Sequence, residues 1–429
     1  MSKSAKLSLE NGEEYTEPFA DSSPFSFYTG ATHREPARLC FNLLLLFVVC
    51  LYALPAQLFP ALEVVHPSQV IAIAALVLLV LEKMMLRQNF VLVWPEGYLL
   101  LAFVGAAALS TFSAFWPLRA YEASLDLVRI VIAYFLIVNT VVSEKRLRAF
   151  LLAMVFGGLF PAMGTLNSYI HGETVEGRAH WIGIFGNPNE LAYILVMLVP
   201  LAAVLSGRAR YPLRILLWTT ISLYVAAIYV TFSRGSLIGL LGVVALLMIY
   251  QKGVLLKVVI GVLLAGGLAF GAASWTRSDG VSNIKQDYTF QQRIATVQAG
   301  LAMFAAHPIV GVGINCAVVA FPLYAPVDFK SKGALVIHNT IIQALSETGV
   351  LGFVPFILLI ACGLYHARRV ASSECLQPLG RRIAAGLEIS LWGAVICGLS
   401  GGFLLSWFPY LVLGLISSTR QIAGAVASE

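Results

Sequence analysis

The sequence predicts an all-α, polytopic integral membrane protein with about twelve transmembrane helices. Only 12% of the 429 residues are charged and 59% are hydrophobic, whereas a soluble domain carries about 25% charged residues. The hydrophobic residues also lie in repeated runs of about 20, the length with which an α-helix crosses a bilayer. Lys and Arg are concentrated in every second loop between these runs. This composition excludes a soluble enzyme, a coiled coil and a disordered chain.

About twelve apolar segments are long enough to span a membrane. They lie near residues 39–60, 68–86, 97–115, 124–142, 147–167, 189–206, 213–231, 235–251, 254–274, 340–365, 383–399 and 402–419. Inside lipid the backbone must satisfy its own hydrogen bonds, which a helix does within one segment. The alternation typical of barrel strands is not seen, so each segment is assigned as a helix.

Positive charges set the predicted orientation. They fall on one side of the membrane if the helix count is right, and by the positive-inside rule that side is cytoplasmic, together with both termini. These charges are Lys83, Arg87, Lys145, Arg146, Arg148, Arg208, Arg210, Arg214, Lys252, Lys257, Arg368, Arg369, Arg381, Arg382 and Arg420. The predicted parts are a cytoplasmic disordered tail (1–37), helices one to nine (38–274), an external loop (275–339), helices ten to twelve (340–419) and a cytoplasmic tail (420–429).

The external loop at 275–339 is long for a connection without a function of its own. Within it, residues Arg293–Ala306 have the apolar spacing of a helix, and His307-Pro308 ends that helix. We therefore expect a partly helical cap on the external face.

Several cations lie on the external side, against the positive-inside trend. They are Arg178, Arg234, Lys285, Arg293, Lys330 and Lys332, with Arg119 and Arg129 near the outer ends of the third and fourth helices. An Arg at that depth is costly unless it has a partner or a function. Guanidinium groups bind phosphate through paired hydrogen bonds, so the set suits a diphosphate at the outer leaflet. Each single Arg also has a plainer interpretation, in which it reaches lipid headgroups or pairs with an acid such as Asp126.

The segment GIFGNPNELAYIL contains a helix start at Asn187-Pro188-Asn189-Glu190. Asn caps helices well, and Pro or Glu suits the first turn, so one interpretation is an ordinary helix cap. In the second interpretation, free backbone N–H groups and the amides of Asn187 and Asn189 face an anionic ligand at the outer leaflet.

The pair His338-Asn339 marks another candidate site. His338 precedes a predicted membrane helix at the external water boundary, where the helix N-terminus disfavours imidazolium and keeps the ring neutral near pH 7. A neutral imidazole is a base, so His338 is a candidate catalytic residue; the alternative is a polar residue satisfied by its neighbours. Further along the same helix, Gly349 and Gly352 have the spacing of a close helix-packing contact.

Motifs for bound nucleotides and metals are missing from the sequence. There is no P-loop, GxGxxG or HExxH, and the six cysteines form no CxxC pair. We therefore expect no cofactor and no metal, and a reaction driven by a substrate that is already activated in the membrane. The net charge of +6 is explained by Lys and Arg on cytoplasmic loops, so we expect no nucleic-acid partner.

Four segments between about Arg178 and Gly352 resemble one protein family. The patterns GIFGNPNELA, TFSRGSLIG, QQRIATVQAGLAMFAAHPIVGVG and HNTIIQALSETGVLG are similar to the O-antigen ligase and O-antigen polymerase superfamily. These are bacterial inner-membrane glycosyltransferases of the GT-C type. The His-Asn-x9-Gly-x-x-Gly pattern is the most specific part of the resemblance, and the Arg after Phe-Ser and the Arg that opens the loop helix are moderately specific.

The resemblance implies a reaction at the periplasmic face of the inner membrane. The donor would be a glycan on undecaprenyl diphosphate, transferred with inversion and without metal or ATP, in contact with membrane lipids. Ligases move the glycan to lipid A–core, and polymerases move it to the growing glycan. His338 would be the general base for the acceptor hydroxyl. The diphosphate- and substrate-binding residues would be Arg178, Arg234, Arg293, Asn187, Asn189 and Asn339.

One signature of the ligases is not met. They carry Arg-x3-Leu, whereas Ile238 and Val297 stand at the corresponding positions after Arg234 and Arg293. An O-antigen or exopolysaccharide polymerase with the same chemistry therefore stays open beside the ligase. A lipid-linked oligosaccharide transporter is a third interpretation. It would place ionisable residues near the bilayer midplane, whereas most intramembrane charge here lies towards the outer ends.

Overall fold

A computed structural model describes residues 38–250, 288–373 and 376–428. Within these ranges the regular structure is helical apart from one two-stranded hairpin, so the predicted all-α membrane fold is confirmed. The tail at 1–37 and the predicted helix at 254–274 lie outside the described residues, as do Lys285 and the first part of the external loop.

The α-helices begin and end as follows. They are α1 (Arg38–Ala53), α2 (Pro55–Leu58), α3 (Pro67–Met85), α4 (Glu96–Ser110), α5 (Pro117–Thr140), α6 (Glu144–Gly157), α7 (Leu159–Ile170), α8 (Pro188–Ser206), α9 (Tyr211–Val230), α10 (Arg234–Tyr250), α11 (Tyr288–Ala306), α12 (Ala317–Tyr324), α13 (Thr340–Ser372), α14 (Pro378–Gly398) and α15 (Trp407–Ser428). The strands are β1 (Thr174–Val175) and β2 (Arg178–Ala179), paired antiparallel. Short 3-10 turns occupy Pro60–Leu62, Thr111–Ser113, Gly183–Phe185 and Val327–Lys332.

Eight helical segments of the described ranges have the length and apolar composition to cross a membrane. Two shorter apolar helices, α1 and α10, accompany them. α14 lies in the middle of the bundle, where it packs against α8, α10, α13 and α15. The helix count of about twelve and the orientation of the termini stay predictions.

Helix boundaries differ from the predicted ones where Pro or Gly interrupts the chain. α1 ends at Ala53 rather than near 60, because Pro55 follows and Leu54 adopts the left-handed conformation with φ 48°. The segment predicted as one helix at 147–167 consists of α6 and α7, which meet at Gly158. A side chain at Gly158 would collide with Leu198 and Tyr224, so glycine lets the two halves pack closely on α8 and α9.

The opposite ends of the bundle differ in chemistry. At the end where α4 begins and α15 terminates, the fully buried Glu96 accepts a hydrogen bond from Arg420 at 3.1 Å and contacts Nδ1 of His366 at 2.6 Å. The end that contains Glu96 also contains Arg146, which donates to the carbonyl oxygen of Thr140 at 2.9 Å. The other end, where α8, α10 and α13 begin, holds the candidate site and is called the site end below.

α13 is broken near the site end. Gly349 has φ 57° and ψ −163°, and the segment 308–313 fills the break. The backbone N–H of Val312 donates to the carbonyl oxygen of Ser346 at 2.9 Å, and that of Val350 donates to the oxygen of Pro308 at 2.9 Å. A Cβ on Gly349 would lie 2.4 Å from the backbone of Ile309. The sequence suggests close helix packing at this glycine, whereas the structure shows a kink to which the turn-containing segment 308–313 is hydrogen-bonded.

Candidate functional site

His338 lies at the site end, immediately before α13. Its neighbour Asn339 caps that helix, because the side-chain oxygen accepts from the backbone N–H groups of Ile341 and Ile342, each at 3.0 Å. The amide nitrogen of Asn339 donates to the carbonyl oxygen of Leu399 at 3.2 Å. Both ends of the Asn339 amide are therefore used to hold the chain that carries the imidazole.

The segment 399–402 lies in the connection between α14 and α15, and it is hydrogen-bonded to the two residues that follow His338. The hydroxyl of Thr340 donates to the carbonyl oxygen of Gly401 at 2.8 Å and accepts from the N–H of Phe403 at 2.9 Å. The same segment contacts α8, because the hydroxyl of Tyr193 donates to the carbonyl oxygen of Ser400 at 3.1 Å. The helix start that follows His338 is thus bound to this connection, which is itself bound to α8.

Arg178, on strand β2, reaches across to two membrane helices. Its Nε donates to the carbonyl oxygen of Thr231 at the end of α9, at 2.9 Å. Its terminal nitrogen donates to the side-chain oxygen of Asn189 in the first turn of α8, at 2.5 Å. The side chain is half-buried, so the guanidinium is held at the site end by two short hydrogen bonds.

Arg234 is the first residue of α10 and is exposed. The next residue, Gly235, packs so closely on the 399–402 segment that a Cβ there would collide with the side chains of Ser400 and Tyr193. Arg234 therefore begins its helix beside the segment that also supports His338. A larger residue at 235 would push Arg234 away from this position.

Arg293 belongs to α11, which lies against the start of α13. The contact runs through Gly300, whose hypothetical Cβ would lie 2.5 Å from Ile342 and 3.0 Å from Ile337. α11 contains the predicted loop helix Arg293–Ala306 and ends at Ala306, as the His307-Pro308 pair predicts. Arg293 is half-buried, and it lies on the helix that contacts Ile337, the residue before His338.

The electrostatic environment of His338 links it to two of these cations. Burial lowers the pKa of its imidazole, and the positive charges of Arg293 and then Arg178 lower it further, from 6.5 to about 4. The ring is therefore neutral at pH 7, as the sequence predicts. Burial and guanidinium charge are causes that the sequence analysis did not consider. A neutral ring can accept a hydrogen bond, and it becomes a stronger base when an anion offsets the neighbouring guanidinium charge.

The predicted site residues thus fall into two groups. His338, Arg178 and Arg293 share one electrostatic environment, and Arg234 begins its helix on the same supporting segment. Asn187 and Asn339 serve as helix caps; Asn187 accepts from the N–H of Asn189 at 2.9 Å. The amide nitrogen of Asn187 donates to Glu190 at 3.2 Å, so its polar atoms are engaged within the first turn of α8.

The remaining external cations have other surroundings. Arg119 donates to the backbone oxygen of Asn315 at 2.7 Å and to its side-chain oxygen at 3.3 Å. Arg129 pairs with Asp126 at 2.5 Å, as the plainer interpretation of this residue predicts, and both side chains are about half exposed. Lys330 is exposed on a 3-10 turn of the external segment. Arg129 and Asp126 also line the cavity described below. Arg178 and Arg293 are the cations whose charge lowers the pKa of His338, and with Arg234, which begins its helix beside the 399–402 segment, they form the cationic part of the site.

A cavity of about 710 Å³ is lined by Val336, two residues before His338, and by Gln343, five residues after it. Its walls are mostly apolar and come from α1, α3, α5, α8 and α15. Polar groups also line it, among them Glu190, Asn315, Gln343 and Ser406. Val336 and Gly402 border the cavity on the side of His338, so the cavity and the cationic site adjoin.

Part of the chain is similar to a known protein family. Residues 215–357 match the family described as O-antigen ligase. This match supports a relationship of residues 215–357 to the O-antigen ligase and polymerase superfamily. No curated protein matches the chain. The family function is ligase- or polymerase-type glycan transfer, which requires a lipid-linked glycan and an acceptor as partners.

The O-antigen ligase match covers part of the site. Arg234, Arg293 and His338 lie inside the matched residues 215–357, and so does the kink at Gly349. Arg178 and the 399–402 segment lie outside it. The folded chain nevertheless joins the two parts, because Arg178 binds Thr231 within the matched region and Gly401 binds Thr340.

Sequence reasoning missed the polar residues of the cavity. Gln343 and Glu190 each lie within the first turns of a predicted membrane helix, and an ionisable or amide side chain in that position was the available signal. Gly402 carried no signal, because its importance depends on which side chains meet it in the folded chain. For the same reason, no pattern in the sequence indicated Tyr193 or Ser400.

Proposed function

We propose that this superfamily member transfers a glycan from undecaprenyl diphosphate to an acceptor hydroxyl, with His338 as the general base. The observation that carries the proposal is the half-buried imidazole of His338, kept neutral beside the guanidinium groups of Arg293 and Arg178. A base next to fixed cations is what a reaction needs when it removes a proton from one substrate and releases an anion from the other.

The proposed step is a single displacement at the anomeric carbon. The acceptor hydroxyl loses its proton to the imidazole of His338, and its oxygen forms the new bond to the anomeric carbon. The bond from that carbon to the diphosphate oxygen breaks, and its electron pair leaves with undecaprenyl diphosphate. Attack from the side opposite the leaving group inverts the anomeric configuration. A positioned base contributes typically ~10²–10⁴-fold to such a rate.

Arg178, Arg234 and Arg293 would bind the diphosphate. Negative charge on the diphosphate increases as its bond to the sugar breaks, so cations aimed at it stabilise the transition state more than the bound substrate. Arg178 is already oriented by Thr231 and Asn189, which lowers the entropy cost of using it. The guanidinium groups would thus stabilise the negative charge on the leaving diphosphate, and the reaction would proceed without a metal. Asn187, Asn189 and Asn339 would hold the surrounding backbone in place around the substrate.

The site end would face the periplasm, with the protein in the bacterial inner membrane. The opposite end carries Lys83, Arg146 and Arg420, and the positive-inside rule favours the cytoplasm for such an end. On this orientation the tail at 1–37 and the end of α15 at Ser428 would be cytoplasmic, and the loop at 275–339 would be periplasmic. The lipid-linked glycan would then reach the site from the periplasmic leaflet.

The preferred acceptor is lipid A–core, which makes the protein a ligase; a polymerase is the second candidate. Ile238 and Val297 occupy the positions where ligases carry Leu, which favours the polymerase. A deletion strain separates the two. Lipid A–core without polymer, together with undecaprenyl-linked polymer, would indicate a ligase, and lipid A–core capped with single repeats would indicate a polymerase. Unchanged glycans would contradict both.

The base assignment is tested in the same strain. Complementation with His338→Ala should not restore polymer transfer, whereas His171→Ala, which changes an exposed histidine at the end of α7, should restore it. Membrane levels of both variants are compared by immunoblot. A His338→Ala protein that is present in the membrane and transfers glycan at the wild-type rate would contradict the assignment.

A further inference from the structure

One face of α11 is apolar and exposed. The helix is not among the described helices that are long and apolar enough to cross a membrane. Its inner face, with Ala299 and Met303, is buried in the small core of the external cap. On the opposite face, Phe290, Ile294 and Leu301 recur at helical spacing and are 39, 44 and 46% exposed. We call these three residues the α11 stripe, and a row of exposed apolar side chains indicates a lipid or protein partner.

The contacts of α11 with α13 show which partner is within reach. Near the middle of α11, Gly300 packs so closely that a Cβ there would lie 2.5 Å from Ile342, in the first turn of α13. Just past the end of α11, the carbonyl oxygen of Ile309 accepts from the N–H of Leu351 at 3.2 Å. α11 therefore runs beside the outer part of α13 in the same direction, from the first turn of α13 to the residues after its kink.

The length of α13 places these contacts at the edge of the hydrocarbon. α13 has 33 residues, whereas about 20 residues span the core of a bilayer. The exposed Arg368 marks the point where α13 leaves the hydrocarbon at the end far from the site. Counting about 20 residues back from Arg368 ends near Gly349. The kink then lies at the hydrocarbon boundary, and the first turns of α13 lie among lipid headgroups, with α11 beside them.

Exposed apolar side chains also connect the cap to the lipid-facing side of α13. Below the kink, α13 exposes Val350, Val354 and Leu358, which follow one another a turn apart and face the surrounding lipid. Ile309 is 62% exposed and is bonded to Leu351 of the same helix. The apolar surface of α13 therefore continues through Ile309 onto the cap.

The backbone of the segment 308–313 has partners that suit this depth. Irregular backbone near the hydrocarbon is costly unless its polar groups bind to the protein, because lipid supplies no hydrogen bonds. The N–H of Val312 donates to the carbonyl oxygen of Ser346 at 2.9 Å, and the N–H of Gly313 donates to that of Glu347 at 3.1 Å. The broken helix thus provides the hydrogen bonds that water provides to an ordinary external loop.

We propose that α11 is an interfacial helix whose stripe contacts the lipids of the leaflet at the site end. The stripe would be buried about 5–10 Å into the boundary between headgroups and acyl chains. This lipid contact does not depend on the proposed transfer reaction. Its consequence does: Arg293 precedes Ile294 of the stripe, so the lipid contact would hold the guanidinium at the depth of the diphosphate of a lipid-linked donor.

The test measures which quenchers reach the stripe in the full-length protein in lipid nanodiscs. A fluorescent amino acid is encoded at Ile294 or at Leu301, so the six native cysteines stay unchanged. Leu358 on the exposed side of α13 is the lipid control, and the exposed Glu173, just before β1, is the water control. The quenchers are a nitroxide near the top of a phospholipid acyl chain, a nitroxide near the chain end, and iodide in water.

We expect the nitroxide near the top of the chain to quench the stripe probes several-fold more strongly than the probe at Glu173. Iodide should quench the stripe probes as weakly as the probe at Leu358, and the nitroxide near the chain end should favour Leu358. Stripe probes that iodide quenches and lipid nitroxides do not would lie in water, which would overturn the inference. Probes that neither kind of quencher reaches would be covered by protein, which would overturn it as well. Thermal unfolding confirms that each labelled protein is folded.

The consequence for Arg293 has a separate test. Leu301→Glu places a charge on the stripe and should raise KM for the lipid-linked donor several-fold, because a carboxylate is unfavourable at the acyl boundary. Gln298→Glu adds the same charge at an exposed polar position of α11 and is the matched control. An unchanged KM in Leu301→Glu would overturn the link to Arg293. A wild type without transfer activity would contradict the proposed function, whereas the quenching experiment would still decide the lipid contact.

Discussion

The guanidinium of Arg178 donates to the side-chain oxygen of Asn189 at 2.5 Å, and through this bond a strand of the external hairpin is fastened to the first turn of α8. Its Nε donates to the backbone carbonyl oxygen of Thr231, the residue that follows α9. One side chain therefore joins three elements that are far apart in sequence, and its position depends on all three.

Replacing Arg178 with Lys should lower glycan transfer more than it lowers stability. Lys keeps the charge but has no Nε and no planar fork, so it cannot bind Thr231 and Asn189 together. We expect kcat/KM for the lipid-linked donor to fall about 10-fold or more, since charge-assisted hydrogen bonds are worth about 1.5–3 kcal/mol. Arg210→Lys, on an exposed residue before α9, is the matched control and should transfer normally. Normal kinetics in Arg178→Lys would remove this residue from the diphosphate site.

The pH profile of transfer should reveal the depressed pKa of His338. Catalysis requires the neutral ring, and in the free protein the pKa is about 4, so kcat/KM should hold as pH falls from 8 to 5 and decline only near pH 4. Arg293→Gln removes the larger of the two charge contributions, so its acidic limb should move up towards 6.5. Bound diphosphate offsets the same guanidinium charge, so the acidic limb of kcat should lie above that of kcat/KM. The same limb in Arg293→Gln as in the wild type would contradict this coupling.

Gly349→Ala should destabilise the protein. The residue has φ 57°, and a Cβ would lie 2.4 Å from the backbone of Ile309, so both strain and collision oppose the substitution. We expect a loss of about 2–4 kcal/mol, seen as a lower Tm in detergent together with reduced membrane levels. Gly105→Ala, which meets open space, should unfold near the wild-type temperature. A wild-type Tm in Gly349→Ala would show that the kink is not required.

Arg420→Met should be more damaging than loss of an exposed ion pair. Arg420 is 4% exposed and pairs with the fully buried Glu96, so its removal leaves this buried carboxylate without its guanidinium partner and with the contact to His366, at a cost of about 3–5 kcal/mol. Arg129→Met breaks the half-exposed pair with Asp126 and should cost about 0–1 kcal/mol. Thermal unfolding in detergent measures both, and adding Glu96→Gln to Arg420→Met should recover part of the loss. Equal Tm values for the two single variants would contradict the buried pair.

The sequence allowed the helical membrane fold and the charged part of the site to be predicted. Long apolar runs specify helices through hydrogen-bond satisfaction in lipid, which needs no tertiary information. His338 and the external arginines are also recognisable locally, because charged or titratable residues at a membrane boundary are costly without a role. Their proximity was inferred from a shared side of the membrane, and the electrostatic influence of Arg178 and Arg293 on His338 supports it.

The cavity and the kink could not be predicted, because both depend on contacts between distant segments. Gln343 lines the cavity together with Gly402, which is far away in sequence and packs so closely on Gln343 and Ile337 that a Cβ there would crowd both. Gly349 was interpreted as a helix-packing residue, since nothing near it in sequence indicates that residues 308–313 will enter the helix. Gly158 likewise divides a continuous apolar run only because α8 and α9 lie against it.

The pairing of 308–313 with the broken turn of α13 has a consequence for motion. Backbone amides of Val312, Gly313, Val350 and Leu351 all donate across this seam. Such bonds unfold together with the helix that supplies their acceptors, so their hydrogen–deuterium exchange should be as slow as that of the bundle interior. The external cap and α13 therefore behave as one cooperative unit. On the proposed function, a glycan would then enter by displacing other connections, such as the β1–β2 hairpin, while the bonds between 308–313 and α13 stay intact.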